Sequence, residues 1–517
     1  MSSWSELIAI YRQFQNHDGN AWQCRGDSFN YVALFHRACD IALFIQTHQQ
    51  ESHRAFTPVL VYGHRSFDFL AAWWACLLCG CAVIPVEADN SRERLDRIAN
   101  TTGANLLINT HDTAFRLKYA DVASTSSIPT AIHRTDEVDT LIRRTEQAIA
   151  ERSWHGLAYI MFSSGTTGEP KGIPITVDNL ADFVRWIATD YPLNGPVTGN
   201  VRYCFDVSLF ELWLAWSFRQ PISILDYTEL VNTRKLIAQH ANIKLSCWVS
   251  TPSIVKLYLM DKTFNQQTLP YLNRFMFCGE TLTKEIVASL WERFPDAQII
   301  NTYGPTECTV AVTAVRITPP MLKDSKSLPI GSARPGTAVY LERTDDATGY
   351  GEIVISGTSV GAGYLNAPPE RAANFSLTSE GRTYRTGDIG TFDGRYFYFI
   401  GRHDKEVKIQ GYRIDLHAIE HYLLSRSGIS AVIVEPYCRK GTAESVQVFV
   451  AAADDIDFSL LAEDMREHFP TWSVPRYWYR IADIQLNNNG KLDRQAVKQI
   501  ALESGCKYVS VPGKTSV

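Results

Sequence analysis

The chain has 517 residues, 45% of them apolar and 20% charged, with 50 basic and 55 acidic side chains and a formal net charge of −5. That length exceeds one hydrophobic core and points to about two to four domains. The slightly acidic balance gives no electrostatic basis for binding nucleic acid. Residues 1–10 lack a basic region followed by an apolar core, so no signal peptide is expected. Residues 69–86 carry no charge and reach the length of a membrane candidate. Gly80 and Pro85 interrupt them, and they read as a buried helix (69–78) and a buried strand (81–86), with no membrane span. The 11 cysteines are scattered irregularly, which fits a reduced, cytoplasmic chain. Cys76, Cys79 and Cys81 lie inside the apolar run, where a thiol behaves as a small hydrophobe.

In chain order, helical periodicity covers 31–45, a strand covers 57–62, and Gly63-His64-Arg65-Ser66 turns into a helix at 67–78. A helix at 92–101 and a strand at 104–108 continue the alternation, which predicts a parallel, doubly wound sheet. The apolar run 157–162 reads as a buried strand. It leads into Ser163-Ser164-Gly165-Thr166-Thr167-Gly168-Glu169-Pro170-Lys171-Gly172. Glycines let the backbone approach a polyanion, hydroxyls donate to phosphate oxygens, and a lysine adds charge. The plainer reading is a surface Ser/Gly loop. The preceding strand and the Pro-Lys-Gly ending weigh against it. Lys171 does not open a helix, so this is not the common Gly-Lys-Ser/Thr loop. Thr176 caps a helix with an apolar stripe at Leu180, Phe183, Val184 and Ile187. Phe205-Asp206-Val207-Ser208 begins another helix, and capping is the plainer role for Asp206 taken alone.

Strands are expected at 246–250, 274–277 and 298–301, with a helix starting at Pro252. The last two strands release Cys278-Gly279-Glu280 and Asn301-Thr302-Tyr303-Gly304-Pro305-Thr306-Glu307. In an open parallel sheet, ligands collect beyond the carboxyl ends of strands. Past residue 320, short alternating segments (338–341, 352–356) and a hairpin signal at 389–400 indicate an antiparallel β region. The main boundary is placed near Gly401-Arg402-His403-Asp404. This gives an N-terminal core at 1–403 and a small α+β domain at 404–517. Residues 470–477 read as irregular, and 487–490 as a tight turn presenting Lys491.

The 163–172 loop resembles the phosphate loop of the adenylate-forming (ANL) superfamily: acyl-CoA synthetases, luciferases and peptide-synthetase adenylation domains. FDVS at 205–208, NTYGPTE at 301–307, YRTGD at 384–388, GRHDKEVKIQGYR at 401–413 and NNNGK at 487–491 agree with it in order and spacing. Each motif is weak alone. Together they cover nearly the whole chain, and it resembles a stand-alone amino-acid adenylation enzyme of the peptide-synthetase branch. MFCGE at 276–280 and the run TYGPTECTVAVTAV are most similar to the D-alanine–carrier protein ligases.

The resemblance implies a large N-terminal α/β domain with doubly wound mixed sheets and a β-barrel-like subdomain. A small mobile C-terminal lid would be hinged at Asp404. It also implies ATP and Mg²⁺, a small amino acid activated as aminoacyl-AMP, and transfer to the phosphopantetheine thiol of a carrier protein. No Gly-Gly-x-Ser carrier motif follows Lys491, so the carrier is expected to be a separate protein. By resemblance, Lys491 would bridge carboxylate and α-phosphate, although by itself a lysine after Asn-Gly is a solvated turn. Glu307 would hold Mg²⁺. Thr306 with Ser163, Ser164, Gly165, Thr166, Thr167, Gly168 and Lys171 would hold phosphates. Gly279, Glu280, Asn301, Thr302, Tyr303 and Gly304 would surround the nucleotide, with Tyr303 stacking on adenine and Asn301 reading its edge. Asp388 would accept the ribose hydroxyls beside Arg402. Gly411 would line the thiol tunnel.

Asp206 matches the aspartate that pairs with the substrate ammonium. Val207, Phe210, Val249, Met276, Cys278, Thr302, Val310 and Ala311 would line the side-chain pocket. The lining carries no second charge, which favours an apolar side chain, and the bulk of Phe210 and Met276 would shrink the pocket and favour a small one such as that of D-alanine. Cys278 matches a handedness filter; its plainer reading is a small core residue. Phe210 departs from the D-alanine enzymes and leaves side-chain size open. The alternatives are a stand-alone adenylation protein serving a natural-product carrier and an acyl-CoA synthetase. Asp206 argues against the second, because a fatty or aryl acid brings no ammonium.

Overall fold

A computed structural model describes residues 2–53, 56–111, 113–151, 156–163, 171–225, 232–324, 326–345, 349–365, 372–378, 381–402, 406–409, 411–439, 442–452, 456–481, 503 and 508–510. The chain divides into two compact units. One comprises Met1–Ala88, Ala99–Met161 and Gly172–His403; the other comprises Asp89–Ile98, Phe162–Lys171 and Asp404–Val517.

Two sheets with parallel centres dominate the first unit. In the nine-stranded sheet the neighbours Gln298–Tyr303, Arg274–Phe277, Cys247–Ser250, Val197–Gly199, Ile222–Ile224 and Asn20–Cys24 run parallel. Antiparallel strands flank them: Asp27–Asn30 on one side, Thr313–Arg316 and Ser332–Ala333 on the other. The six-stranded sheet has the order Asp121–Ser124, Leu106–Asn109, Val59–Gly63, Val83–Glu87, Leu157–Ser163, Lys171–Thr176, and its first five strands are parallel. Val59–Gly63 is buried along its whole length, as a strand covered on both faces must be. This is the mixed α/β architecture that the strand–helix alternation predicts. An antiparallel sheet follows in sequence, with Thr337–Asp345, Tyr350–Gly357, Gly381–Phe392 and Phe375–Thr378 in order and Phe397–Arg402 paired to Gly381–Phe392.

The predicted helix at 67–78 forms as Phe67–Leu78. Ser66 starts it by accepting the Phe69 amide at 3.2 Å, and Asp68 sits in its first turn. Every other residue of that helix is buried, so it is a core helix rather than an amphipathic one. No helix among the described residues is long and apolar enough to cross a membrane. Cys76, Cys79 and Cys81 are packed in this core. Helix Val177–Asp190 begins with a reciprocal capping box: Thr176 accepts from the Asn179 amide at 3.1 Å, and Asn179 Oδ1 accepts from the Thr176 amide at 3.0 Å. Asn179 Nδ2 then donates to the carbonyls of Thr358 and Val360, tying the helix to the antiparallel sheet.

The second unit holds the hairpin Glu406–Ile409/Tyr412–Asp415. It also holds the sheet Ile429–Arg439, Thr442–Ala452, Tyr477–Ile481, Tyr508–Val509, with helices Leu416–Leu424 and Phe458–His468. The segment 470–477, expected to be irregular, contains a 3₁₀ turn at Thr471–Ser473 and the start of a strand at Tyr477. The buried Trp478 side chain explains the strand start, because pairing Tyr477 and Trp478 with Gln447 and Val448 covers the indole.

An indole cluster joins two helices of the first unit. Trp74 lies 5.3 Å from Trp213 and 4.9 Å from Trp216, ring centre to ring centre, and also meets Tyr11 and Phe14. Trp213 and Trp216 belong to Ser208–Phe218, the helix that carries Phe210. Trp74→Ala is expected to cost about 3–5 kcal/mol, as for other buried aromatic truncations. Urea unfolding followed by near-UV circular dichroism reads this loss, and one below about 1 kcal/mol would show that the cluster is not a keystone.

Candidate functional site

The motif 301–307 straddles a strand end. The sequence pattern ends the strand at Asn301, but it runs on through Tyr303, with Asn301, Thr302 and Tyr303 paired to Val315, Ala314 and Thr313. Polar residues inside a strand hide it from an apolar count, and the antiparallel partner supplies the missing driving force. The Asn301 Nδ2 group donates to the Pro329 carbonyl at 2.8 Å, so that half of the amide is held by the protein. Thr302 Oγ1 donates to the Phe277 carbonyl at 2.9 Å. At Gly304 a β-carbon would lie 2.6 Å from Ala311 Cα, so only glycine permits this approach of two backbone segments.

The chain then turns through a 3₁₀ turn, Thr306–Cys308, into two β-branched residues with left-handed backbone, Thr309 (φ 59°) and Val310 (φ 69°). Such conformations cost of order 1–3 kcal/mol each and cluster at functional sites. Here they are held by Thr309 Oγ1 donating to the Ser359 carbonyl at 2.7 Å and by the Val312 amide donating to the Tyr303 carbonyl at 2.8 Å. No glycine marks the bend, so sequence reasoning missed it.

Asp388 lies within strand Gly381–Phe392, directly opposite Arg402, and is 3% exposed. Tyr303 donates its phenol proton to Asp388 Oδ2 at 2.5 Å, and Arg402 Nη1 is paired with Oδ1. Burial and the Asp388 carboxylate raise the Tyr303 phenol well above its ordinary value, so it stays neutral and donates. The Asp388 amide is fixed by Thr386 Oγ1 at 3.0 Å. A carboxylate has about four acceptor sites, and these two donors leave room for a vicinal diol.

Glu307 is 1% exposed, and Tyr364 donates to its Oε1 at 2.5 Å. The Tyr384 and Tyr364 hydroxyls are 2.9 Å apart. Tyr364, Tyr384 and Thr386 were given no site role from the sequence; the only hint was that Tyr384 and Thr386 stand in the YRTGD run. An oriented, buried carboxylate of this kind suits a hard, oxygen-liganded cation such as Mg²⁺.

A second constellation is apolar. Val207, Phe210, Val249, Met276, Cys278, Val310 and Ala311 all belong to one buried cluster. Val249 and Met276 are register partners on adjacent parallel strands. The Cys278 thiol lies 3.8 Å from the Val310 carbonyl. Asp206, 3% exposed, precedes the helix Ser208–Phe218, whose cap residue is Val207, not Asp206. Asp206 also raises the pKa of the buried Tyr159 phenol, after burial itself. The Phe210 ring leans on Phe183 at 5.1 Å and Trp186 at 6.3 Å. Gly279 has φ 91° and a β-carbon there would approach Phe205 at 3.3 Å. Glu280 Oε2 accepts the Ser253 amide at 2.9 Å, in the first turn of Pro252–Tyr258, so its carboxylate has a structural task.

Of the phosphate-loop residues, Ser163 ends strand Leu157–Ser163 and Lys171 is a buried residue opening Lys171–Thr176. Ser164, Gly165, Thr166, Thr167, Gly168, Asp404 and Lys491 lie outside the described residues. Gly411, in the second unit, has φ 85°.

Residues 11–365 match the family model described as AMP-binding enzyme. The chain is 32% identical to the D-alanine–D-alanyl carrier protein ligase of Bacillus licheniformis, an alignment covering 96% of this chain and 98% of that one. It is 31% identical to the ligase of the same name from Bacillus mycoides, over 92% of this chain and 95% of that one. One similar solved structure is an NRPS protein containing adenylation and PCP domains, with TM-score 0.79 and 24% identity over 96% of this chain and 84% of the other. Another is the Vibrio cholerae adenylation domain AlmE in complex with glycyl-adenosine-5′-phosphate, with TM-score 0.78 and 22% identity over 97% and 98%. The solved structures bear on fold alone. The family model and the relatives above 30% identity go further: this chain belongs to the AMP-binding enzyme family, the adenylate-forming superfamily.

Proposed function

We propose that the protein is an AMP-forming amino acid–carrier protein ligase whose substrate is a small amino acid, D-alanine first among them. The observation that carries this reading is the buried Asp206 beside a cluster made of Val207, Val249, Met276, Cys278, Val310 and Ala311. A carboxylate in such surroundings gains most from a ligand that brings one positive charge and little else. An ammonium with a methyl side chain answers both demands; a fatty or aryl acid answers neither. The names of the Bacillus relatives support D-alanine. Phe210 favours a second reading, a stand-alone adenylation protein for another small amino acid. Its ring, resting on Phe183 and Trp186, would take up room in the pocket and so bear on the side-chain size admitted.

In the first half-reaction an oxygen of the amino-acid carboxylate attacks the α-phosphorus of ATP. The bond to pyrophosphate breaks, and aminoacyl-AMP forms. Asp206 holds the ammonium and so aims the carboxylate. Asp388 receives the ribose hydroxyls, with Tyr303 and Arg402 fixing its two oxygens, and Tyr303 supports the adenine. Glu307, oriented by Tyr364, would hold Mg²⁺, which when bound neutralises phosphate charge. Lys491 would supply positive charge where negative charge develops between carboxylate and α-phosphate, and Thr306 with the 163–171 residues would hold the remaining phosphate oxygens.

In the second half-reaction a phosphopantetheine thiolate on a separate carrier attacks the aminoacyl carbonyl carbon. The bond to AMP breaks, and AMP leaves. We assign residues 404–517 to a lid that turns at Asp404 between the half-reactions, with Gly411 lining the thiol path. Among the described residues every cysteine is a free thiol, which suits a cytoplasmic enzyme.

Asp206→Asn removes the charge that pairs with the ammonium. It is expected to raise KM for the amino acid by about 10²–10³-fold, the range for losing one partner of a buried charged pair, and to leave KM for ATP nearly unchanged. Equal effects on both constants would place Asp206 in the scaffold. Lys491→Ala is expected to abolish adenylate formation, measured as amino-acid-dependent ATP–pyrophosphate exchange, while nucleotide binding by calorimetry persists. Unchanged exchange would remove Lys491 from the mechanism.

A further inference from the structure

Helix Ser208–Phe218 carries one side chain that the chemistry above does not use. Glu211 is completely buried. Its Oε1 accepts the Asn200 amide at 2.7 Å and lies 3.1 Å from Thr198 Oγ1; its Oε2 accepts the Val201 amide at 3.1 Å. A carboxylate thus anchors the turn that follows strand Val197–Gly199 to the helix that follows Asp206. The strand and its turn together grip the neighbouring strand Cys247–Ser250. Thr198 Oγ1 accepts the Val249 amide at 2.8 Å and lies 3.1 Å from the Val249 carbonyl, and Asn200 Nδ2 donates to that carbonyl at 3.1 Å. Both backbone polar groups of Val249 are therefore held by side chains whose own anchor is Glu211.

We infer that Glu211 is a positioning residue for the amino-acid pocket, acting through Thr198 and Asn200 on Val249. The inference rests on reading the apolar cluster around Asp206 as that pocket. Val249 is a wall of it, and Asp206 stands five residues before Glu211 in the sequence, so one carboxylate sets the spacing between the ammonium partner and the opposite wall.

The geometry contains a proton-dependent element. The Thr198 hydroxyl has one proton and two acceptors at equal distance, Glu211 Oε1 and the Val249 carbonyl. When Glu211 is ionised, Thr198 donates to it. When Glu211 is protonated, the carboxyl donates to Thr198, which turns its proton to Val249. Burial pushes the Glu211 carboxyl up to about 8, against the pull of its three donors and of Arg65. Arg65 donates to the Gly199 carbonyl at 2.6 Å. The other titratable groups that feel Glu211 are Tyr203, just past the anchored turn, and Cys247 on the neighbouring strand, both raised in part by it. Below this value the Val249 carbonyl has two donors; above it, one.

The test is amino-acid-dependent ATP–pyrophosphate exchange by the full-length protein between about pH 6.5 and 9.5, with KM determined for the amino acid and for ATP. In the wild type, KM for the amino acid is expected to rise about three- to tenfold through an inflection near the Glu211 value, the weight of one hydrogen bond, while KM for ATP stays level. Glu211→Gln removes the titrating proton, although its amide nitrogen cannot accept one of the two backbone amides, and is expected to lose that inflection. The titration of the substrate's own ammonium is common to both proteins and cancels. Thr198→Val, which keeps shape and removes the relay, is expected to flatten the profile and raise the amino-acid KM at every pH. It carries the test if Glu211→Gln does not fold. The same inflection in wild type and variant would overturn the inference. Absence of exchange with any amino acid would instead overturn the functional reading on which it rests.

Discussion

Burying carboxylates in an interior of low dielectric constant is costly unless donors or a cation compensate. Asp206, Glu211, Glu307 and Asp388 are each no more than 3% exposed, and the first unit is arranged to accommodate them. Asp388 is met by a phenol and a guanidinium on an adjacent strand; Glu307 by a phenol backed by a second phenol; Glu211 by two backbone amides and a hydroxyl. Asp206 borders the apolar cluster that holds Val207, Val249 and Met276. The same physical demand therefore yields three carboxylates with fixed donors, and in the proposed reading Asp206 meets the substrate's ammonium.

The fold serves this arrangement by bringing distant segments to the ends of parallel strands. The proposed pocket walls come from residues near 207, 249, 276 and 310, which share one buried cluster although no two of them share a strand or helix. What holds them is common packing. The indole cluster of Trp74, Trp213 and Trp216 fixes helix Ser208–Phe218 from behind, and the strained Thr309–Val310 bend closes the cluster from the motif side. Strain at that bend is affordable because Gly304 lets the two backbone segments touch.

Much of this was legible in the sequence where one period dominates. Helix Phe67–Leu78 and strand Arg274–Phe277 appear where apolar patterning places them, and the Thr176 cap appears with its box partner. The reading failed where functional polar residues occupy strands. Asn301–Tyr303 is paired backbone, although its composition resembles a loop. Thr309 and Val310 gave no warning because β-branched residues rarely adopt left-handed backbone. Glu211 was invisible for another reason. On an amphipathic helix a glutamate faces water, but this helix is buried on nearly every side. Part of the Asn301 amide and the Glu280 carboxylate are engaged by the protein's own backbone.

The central claim is that the Asp206 pocket takes an amino acid. The most direct measurement is ATP–pyrophosphate exchange over a panel of D- and L-alanine, glycine, D- and L-serine, valine, proline, acetate and benzoate. The account predicts strong exchange with D-alanine or another small amino acid and none with acetate or benzoate. Exchange driven by the acids that lack an ammonium group, with the amino acids silent, would contradict it.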